Sequence, residues 1–277
     1  MKNIESAVAQ HYGNDNLVAR IMAGLEAAGA DINVLQMEDL APVDEFHIGG
    51  REATKRAVAK MALGPDSRVL DIGCGIGGAV RYIADEFGCQ VTGIDLTPEF
   101  ISTAQALSIM TGQGDMARFE IASALDMPFD AAAFDAAVTF HVAMNIPDRE
   151  GLYGEIARVL APGGVLCIYD VMKKSDEPLS FPVPWSETPD TSHLTTPDEM
   201  LVLLTSAGFE VEYVEDRTNA AIEIFKQSEA AAANDGLPLL GVHLIMGPTA
   251  PQKFKNTREN IENGLIGPVL MVARRKG

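Results

Sequence analysis

The stretch Val69-Leu70-Asp71-Ile72-Gly73-Cys74-Gly75-Ile76-Gly77-Gly78 decides how this chain is read. A short apolar run ends in an acid, glycines then alternate with other residues, and an amphipathic segment begins. That order is a buried strand, a tight turn and a helix start. Gly73, Gly75 and Gly77 permit positive φ and let a ligand approach the backbone without meeting a Cβ. The next apolar run, Gln90-Val91-Thr92-Gly93-Ile94, is closed by Asp95. An acid at the tip of a second strand is placed to hold both hydroxyls of a ribose. Together the two strand ends imply a nucleoside-bearing ligand lying across the first two strands of a parallel sheet.

Working outward, strand and helix patterns alternate. Arg68–Ile72, Gln90–Ile94, Ala117–Ile121, Phe134–Phe140 and Val165–Val171 read as strands. Gly78–Phe87, Pro98–Thr111 and Asp148–Leu160 read as helices, the last stopped by Pro162-Gly163-Gly164. Short connections between alternating elements predict an α/β fold with a doubly wound parallel sheet. Residues 1–64 carry helical patterns at Asn16–Ala28 and Glu52–Met61 and are expected to form an N-terminal helical cap on a core of residues 65–277. Residues 172–196 are rich in Pro, Ser and Thr, and a loop of that length is expected to be a lid or binding segment. Phe209–Val214 and Pro268–Arg274 read as two further strands, separated by a helical insertion over 219–264.

Composition bounds the partners. A chain of 277 residues can bury about three quarters of its extended surface, enough for a sizeable core. With 39 acidic and 21 basic residues, the net charge of −18 argues against nucleic acid, whose phosphates need Lys and Arg. No apolar run approaches the ~18 residues that would cross a bilayer, and no signal-peptide core opens the chain, so no membrane partner is expected. Cys74, Cys89 and Cys167 have no metal-ligand spacing, so no metal and a reduced, cytoplasmic compartment are expected.

A glycine fingerprint is also found in dinucleotide-binding proteins, which need a helix N-terminus free to meet pyrophosphate. Asp71, just before the first glycine, repels phosphate and suits a ligand with a positive amino group. S-adenosylmethionine has a ribose, an ammonium and no phosphate, and Val69–Gly77 resembles the first motif of the class I S-adenosylmethionine-dependent methyltransferases. The segment His47-Ile48-Gly49-Gly50-Arg51-Glu52-Ala53-Thr54-Lys55 looks like that of the phosphoethanolamine and sarcosine/dimethylglycine N-methyltransferases. The likeness runs from about Tyr12 to Val171 and returns weakly at Thr196–Phe209 and Phe254–Lys276. It implies a Rossmann-like methyltransferase fold: a seven-stranded mixed sheet, six strands parallel and one reversed, under a helical cap. It also implies S-adenosylmethionine as cofactor, S-adenosylhomocysteine as product, and cofactor contacts at Gly49, Asp71, Gly73, Cys74, Gly75, Asp95, Leu96, Ser123, Ala124 and Phe140. Ser123 and Ala124 stand where the family has an acid and a small residue; a serine still accepts a hydrogen bond from the adenine amino group.

For catalysis the resemblance implies Tyr12 as an active-site tyrosine. The N-methylating families carry an aspartate at the position of His141 and a histidine at that of Asn145. Both the ammonium-binding acid and the histidine base are therefore replaced. His141, whose unperturbed pKa is about 6.5, can supply an imidazole base from the shifted position. Trp185, the only tryptophan, either stacks on a substrate or anchors the long loop. The expected activity is methyl transfer to a small molecule, with an amine nitrogen as leading acceptor and oxygen, sulfur or carbon as alternatives. Outside that class stand an NAD(P)-binding oxidoreductase and a non-catalytic cofactor-binding protein. A homodimer is compatible with the sequence.

Overall fold

The computed structural model describes residues 16–236 and 238–277. Seven strands form a single sheet: β1 (Arg68–Ile72), β2 (Gln90–Asp95), β3 (Ala117–Ile121), β4 (Phe134–Phe140), β5 (Leu160–Lys173), β6 (Phe209–Asp216) and β7 (Ile266–Arg275), in the order β3-β2-β1-β4-β5-β7-β6. Pairings among β1 to β5 are parallel, and β7 runs antiparallel to both β5 and β6. This is the expected six-plus-one sheet. Val69 faces one core layer and Leu70 the other, so β1 is buried on both sides, as a central parallel strand must be.

Helices α1 (Leu17–Ala27), α2 (Met37–Asp44) and α3 (Gly50–Val58) precede the sheet. Helix α4 (Gly78–Phe87) follows β1, α5 (Pro98–Met110) follows β2, and α6 (Arg149–Val159) follows β4. Helix α7 (Pro197–Ser206) leads into β6, and α8 (Thr218–Asp235), α9 (His243–Met246) and α10 (Ala250–Glu262) lie between β6 and β7. The layer under α3, α4 and α5 buries Ala53, Ala57, Val80, Ile83 and Ala104 against Val69, Val91 and Val138. The opposite layer buries Leu152, Ile156 and Leu204 against Leu70, Ile72 and Met271. A separate apolar cluster joins α1, α2, α5 and the α9 region through Leu17, Ile21, Leu40, Phe100, Leu240 and Ile245.

Two elements depart from the expected bounds. Leu160 already pairs with Phe134, and the ladder resumes only at Val165 opposite Ala136, so Pro162-Gly163-Gly164 bulges out of a strand instead of preceding it. At its far end β5 is drawn out to Lys173 by pairing with β7 down to Ile266. The long loop accordingly starts at residue 174. Trp185, within that loop, is 3% exposed and clusters with Met144, Val171, Ala221, Ile261 and Ile266, which makes it an anchor.

Arg81 of α4 has no solvent exposure. Its guanidinium donates to the Ile76 carbonyl of the glycine turn at 2.8 Å, to the Ala104 carbonyl at 3.2 Å and Ser108 Oγ at 3.0 Å on α5, and to Asp44 at the end of α2. Burial pushes the Asp44 carboxyl up to about 6 against the pull of Arg81. Replacing Arg81 by Met leaves that carboxylate with only Arg51 as counter-ion, so Arg81→Met is expected to lose about 3–5 kcal/mol of stability at pH 7. The deficit in urea unfolding should shrink as pH falls toward about 6 and level off below it, because without Arg81 the Asp44 carboxyl takes up its proton at higher pH than in the wild type. A deficit that does not change with pH would show that Asp44 is not what Arg81 neutralises.

Candidate active site

A cleft opens at the C-terminal ends of β1, β2 and β4, where a doubly wound sheet places its ligand. Asp71, Gly73, Cys74 and Gly75 line it from the first turn, Asp95 and Leu96 from the tip of β2, Ser123 and Ala124 from the segment after β3, and Phe140 and His141 from the tip of β4. Gly49 does not line it; its missing Cβ faces Ala53 at 3.1 Å and Ile224 at 3.4 Å, where α3 starts against α8. Tyr12 lies outside the described residues. Asp126 is exposed.

The first turn is built for close approach. Gly73 sits at φ +75°, and a Cβ there would lie 2.4 Å from Val142 Cγ2, so the β1 and β4 tips pack backbone to side chain. Gly75 sits at φ +54°, and a Cβ there would meet no protein atom within 4 Å. Asp95 braces the turn: its Oδ2 accepts from Gly75 N at 3.0 Å and its Oδ1 from Thr97 N at 2.9 Å. Asp71 is 2% exposed, and burial, with Asp95 and Glu45 nearby, pushes its carboxyl up to about 8. Among the described residues no cation pairs with it. Burial also raises the Cys74 thiol well above its ordinary range, which rules it out as a thiolate nucleophile.

At the tip of β4, His141 takes φ +57°, rare for a residue with a side chain. Its N–H donates to the Tyr169 carbonyl at 2.7 Å, and the next N–H, of Val142, donates to Asp170 Oδ1 at 3.0 Å. Burial and the neighbouring His47 hold its imidazole well below the usual range. His141 Nε2 is buried without a hydrogen-bond partner. Asn145 does not take the place of a base: its Nδ2 donates to the carbonyls of Trp185 at 2.7 Å and Thr191 at 3.4 Å, tying the long loop down.

Sequence reasoning missed the opposite wall. Glu45, Phe46 and His47, on the strap between α2 and α3, line the cleft, as do Phe100 of α5 and Ile245 of α9. His47 lies in the segment quoted above, where only the glycines suggest a ligand. Ile245 has no local signal, because only the packing of α9 brings it there.

Four carboxylates, Asp44, Glu45, Asp71 and Asp95, line the cleft, and no Lys or Arg does among the described residues. Such a cleft repels a pyrophosphate and welcomes a cation, which sets it against a nicotinamide dinucleotide.

Comparison with known proteins agrees. The family described as Methyltransferase domain matches residues 70–168. The chain is 31% identical over 225 residues to the sarcosine/dimethylglycine N-methyltransferase of Halorhodospira halochloris, covering 78% of this chain and 76% of that protein. It is 30% identical over 206 residues to the O-methyltransferase resE of Aspergillus sclerotiorum, covering 74% and 76%. This chain belongs to the S-adenosylmethionine-dependent methyltransferases. Among solved structures, the phosphoethanolamine N-methyltransferase 2 of Haemonchus contortus, in complex with phosphomonomethylethanolamine and S-adenosylhomocysteine, superposes with a TM-score of 0.73 at 21% identity. That match covers 84% of this methyltransferase and 55% of the nematode chain.

The residues present fit S-adenosylmethionine. The open space at Gly75 leaves room for a ligand against the backbone, and each Asp95 oxygen that braces the turn can also accept from a ribose hydroxyl. Asp71 is a buried carboxylate that wants a cation, and the cofactor's ammonium would supply one. Because Asp71 titrates near 8, it is mostly protonated at pH 7 and would release its proton on pairing. Calorimetry of S-adenosylhomocysteine in buffers of different ionisation enthalpy is expected to show that release. Affinity should climb with pH up to about 8 and then level off. Asp95→Ala is expected to weaken binding at least tenfold, since each charge-assisted bond contributes roughly 1.5–3 kcal/mol. No proton release, or an Asp95→Ala variant that binds like wild type, would overturn the corresponding assignment.

Proposed function

We propose that this methyltransferase acts on a neutral small molecule without phosphate, and that the acceptor is an amine nitrogen presented as the free base. The charge of the cleft carries this reading. A phosphate-bearing acceptor would find no lysine or arginine lining the cleft among the described residues, and an acid at Asp95. A protonated amine would find no unengaged acid beyond Asp71 and Asp95, because Asp44 and Glu45 are bound to Arg81 and Arg51. The cleft is otherwise walled by Phe46, Phe140, Ile146 and Ile245 with two imidazoles.

When bound, S-adenosylmethionine supplies a methyl group already activated by its sulfonium. The protein's part is placement of a nucleophile at roughly 3–3.5 Å in a dry pocket. Asp71 would hold the ammonium and Asp95 the ribose hydroxyls, with Leu96, Ser123 and Ala124 bordering the adenine. Phe140 and His141 would meet the acceptor. Tyr12 is proposed as a second contact on its motif match alone. Residues 16–64 and the loop over 172–196 would act as the cap that keeps water out.

A hydroxyl oxygen is the second reading, favoured by the two imidazoles that line the cleft, because a hydroxyl arrives protonated and needs a base. Labelled S-adenosylmethionine incubated with a metabolite extract identifies the acceptor. An amine acceptor should give a rate that climbs with pH toward the amine's own ionisation. A hydroxyl acceptor relayed to imidazole should give a plateau across neutral pH with its acid limb below 6.5, because burial lowers both histidines of the cleft. His141→Ala, which removes a contact to the acceptor, is expected to lower turnover while S-adenosylhomocysteine binds as before. A phosphorylated or permanently cationic acceptor would refute the charge argument.

A further inference from the structure

We infer that His47 is the residue that holds the proton shed by the acceptor, with Glu45 as the carboxylate that stabilises it there. The inference rests on the reading that the acceptor is a neutral N–H or O–H group, which loses a proton on methylation.

His47 stands across the cleft from the tip of β4, its ring centroid 5.3 Å from Phe140, 5.9 Å from His141 and 6.0 Å from Tyr169. One nitrogen is turned away from the cleft. Nε2 lies 3.1 Å from the Gly50 carbonyl and 3.1 Å from Thr54 Oγ1. A carbonyl can only accept, so this hydrogen-bond network assigns the hydrogen to Nε2 and leaves the lone pair on Nδ1. His47 lines the cleft, and Nδ1 is the nitrogen left to serve it.

Behind the ring, Glu45 Oε2 lies 3.5 Å from Nε2. Glu45 is itself fixed, by Arg51 on one oxygen and by the Thr54 hydroxyl on the other. An imidazole whose far nitrogen is bonded to a carbonyl and lies near a carboxylate is oriented; burial still sets the His47 imidazole below its ordinary value, and Glu45 and the Gly50 carbonyl offset part of that. The two histidines of the cleft therefore differ. Around His141, burial and His47 both oppose a positive charge, and no carboxylate favours one. Around His47, burial and Arg51 oppose the charge, while Glu45 and the Gly50 carbonyl favour it. Tyr169, whose ring packs edge-on to His47 at 6.0 Å, is pushed up to about 12 by burial and stays neutral. If one imidazole must carry a proton during turnover, the one backed by a carboxylate is preferred.

The step balances without a further reactant. The proton leaves the acceptor heteroatom for Nδ1 of His47, the electron pair of the broken bond stays on the acceptor, and the imidazolium then returns the proton to solvent. His141 contacts the acceptor in this scheme and does not hold the proton. Glu45 is a positioning residue, acting only through His47.

The test uses the full chain in two arms. Nitrogen-15 NMR of histidine-labelled protein bound to S-adenosylhomocysteine should show His47 with Nε2 protonated and Nδ1 bare. In Glu45→Gln, which keeps hydrogen-bonding atoms and removes the charge, its titration should move to lower pH. In the second arm, label transferred from S-adenosylmethionine to a metabolite extract is followed. His47→Gln retains an amide donor for the Gly50 carbonyl, so its fold and S-adenosylhomocysteine affinity should hold. Its rate of transfer should fall by roughly 10²-fold or more, and the acid limb in Glu45→Gln should move the same way as the NMR titration. The opposite tautomer, or normal transfer by His47→Gln, would overturn the inference. A Glu45→Gln limb that stays in place would overturn the part given to Glu45. No transfer by the wild type would refute the proposed function instead, and the NMR arm would still decide whether His47 has the proton-accepting tautomer.

Discussion

Arg81 carries a guanidinium that never meets solvent, and it joins parts of the chain that no sheet hydrogen bond connects. From α4 it reaches the glycine turn at Ile76, α5 at Ala104 and Ser108, and the end of α2 at Asp44. A buried ion pair of this kind adds little net stability, because desolvating two charges offsets most of their attraction. Its contribution is to geometry. Once Asp44 is fixed, Arg51 spans Asp44 and Glu45, and the Tyr169 hydroxyl holds the Ile48 carbonyl at 3.1 Å. The strap carrying Phe46 and His47 then has one path across the mouth of the sheet. One wall of the cleft is set by strand pairing and the other by this chain of charges.

The same charges explain what the cleft selects. A protein of net charge −18 attracts cations over its surface, and low-dielectric walls focus that field into a cleft. Asp71 is the sharpest case. It has surrendered its hydration to burial without gaining a counter-ion among the described residues, and its carboxyl is pushed up to about 8. A ligand that brings an ammonium to that point relieves a cost already present in the fold. This is where a methyltransferase differs from a dinucleotide enzyme that shares its glycine turn. The backbone is alike, and one carboxylate decides the sign of the ligand.

How much of this was legible in the sequence depended on the range of the interactions. The sheet from β1 to β5 follows from hydrophobic period and glycine punctuation, both local. Asp71 and Asp95 were readable because an acid at a strand end needs only its own strand to place it. The path of β5 was not, because its bulge at Pro162-Gly163-Gly164 and its extension to Lys173 answer to β4 and β7. Gly49 shows the converse limit. Its motif points to a ligand, but its absent side chain faces Ala53 and Ile224. Its positive φ, 93°, is used to start a helix. Phe46, His47 and Ile245 reach the cleft through tertiary packing of α2, α3 and α9, about which local pattern says nothing.

The two departures at the end of β4 make sense together once the long loop is in place. Asn145 Nδ2 serves two loop carbonyls from one atom, which needs two hydrogens on that atom. An imidazole nitrogen carries one at most. The same loop is held by Arg149, which donates to the His193 carbonyl at 2.7 Å, and by the His193 N–H, which donates to the Met144 carbonyl at 2.8 Å. The loop thus asks for an amide where the resembled families have a histidine, and the imidazoles of the cleft come from elsewhere. One stands at His141, on a turn whose following N–H is tied to Asp170. The other stands at His47, against Glu45. Asp170 braces only the backbone of the first turn, while Glu45 reaches the ring of the second histidine.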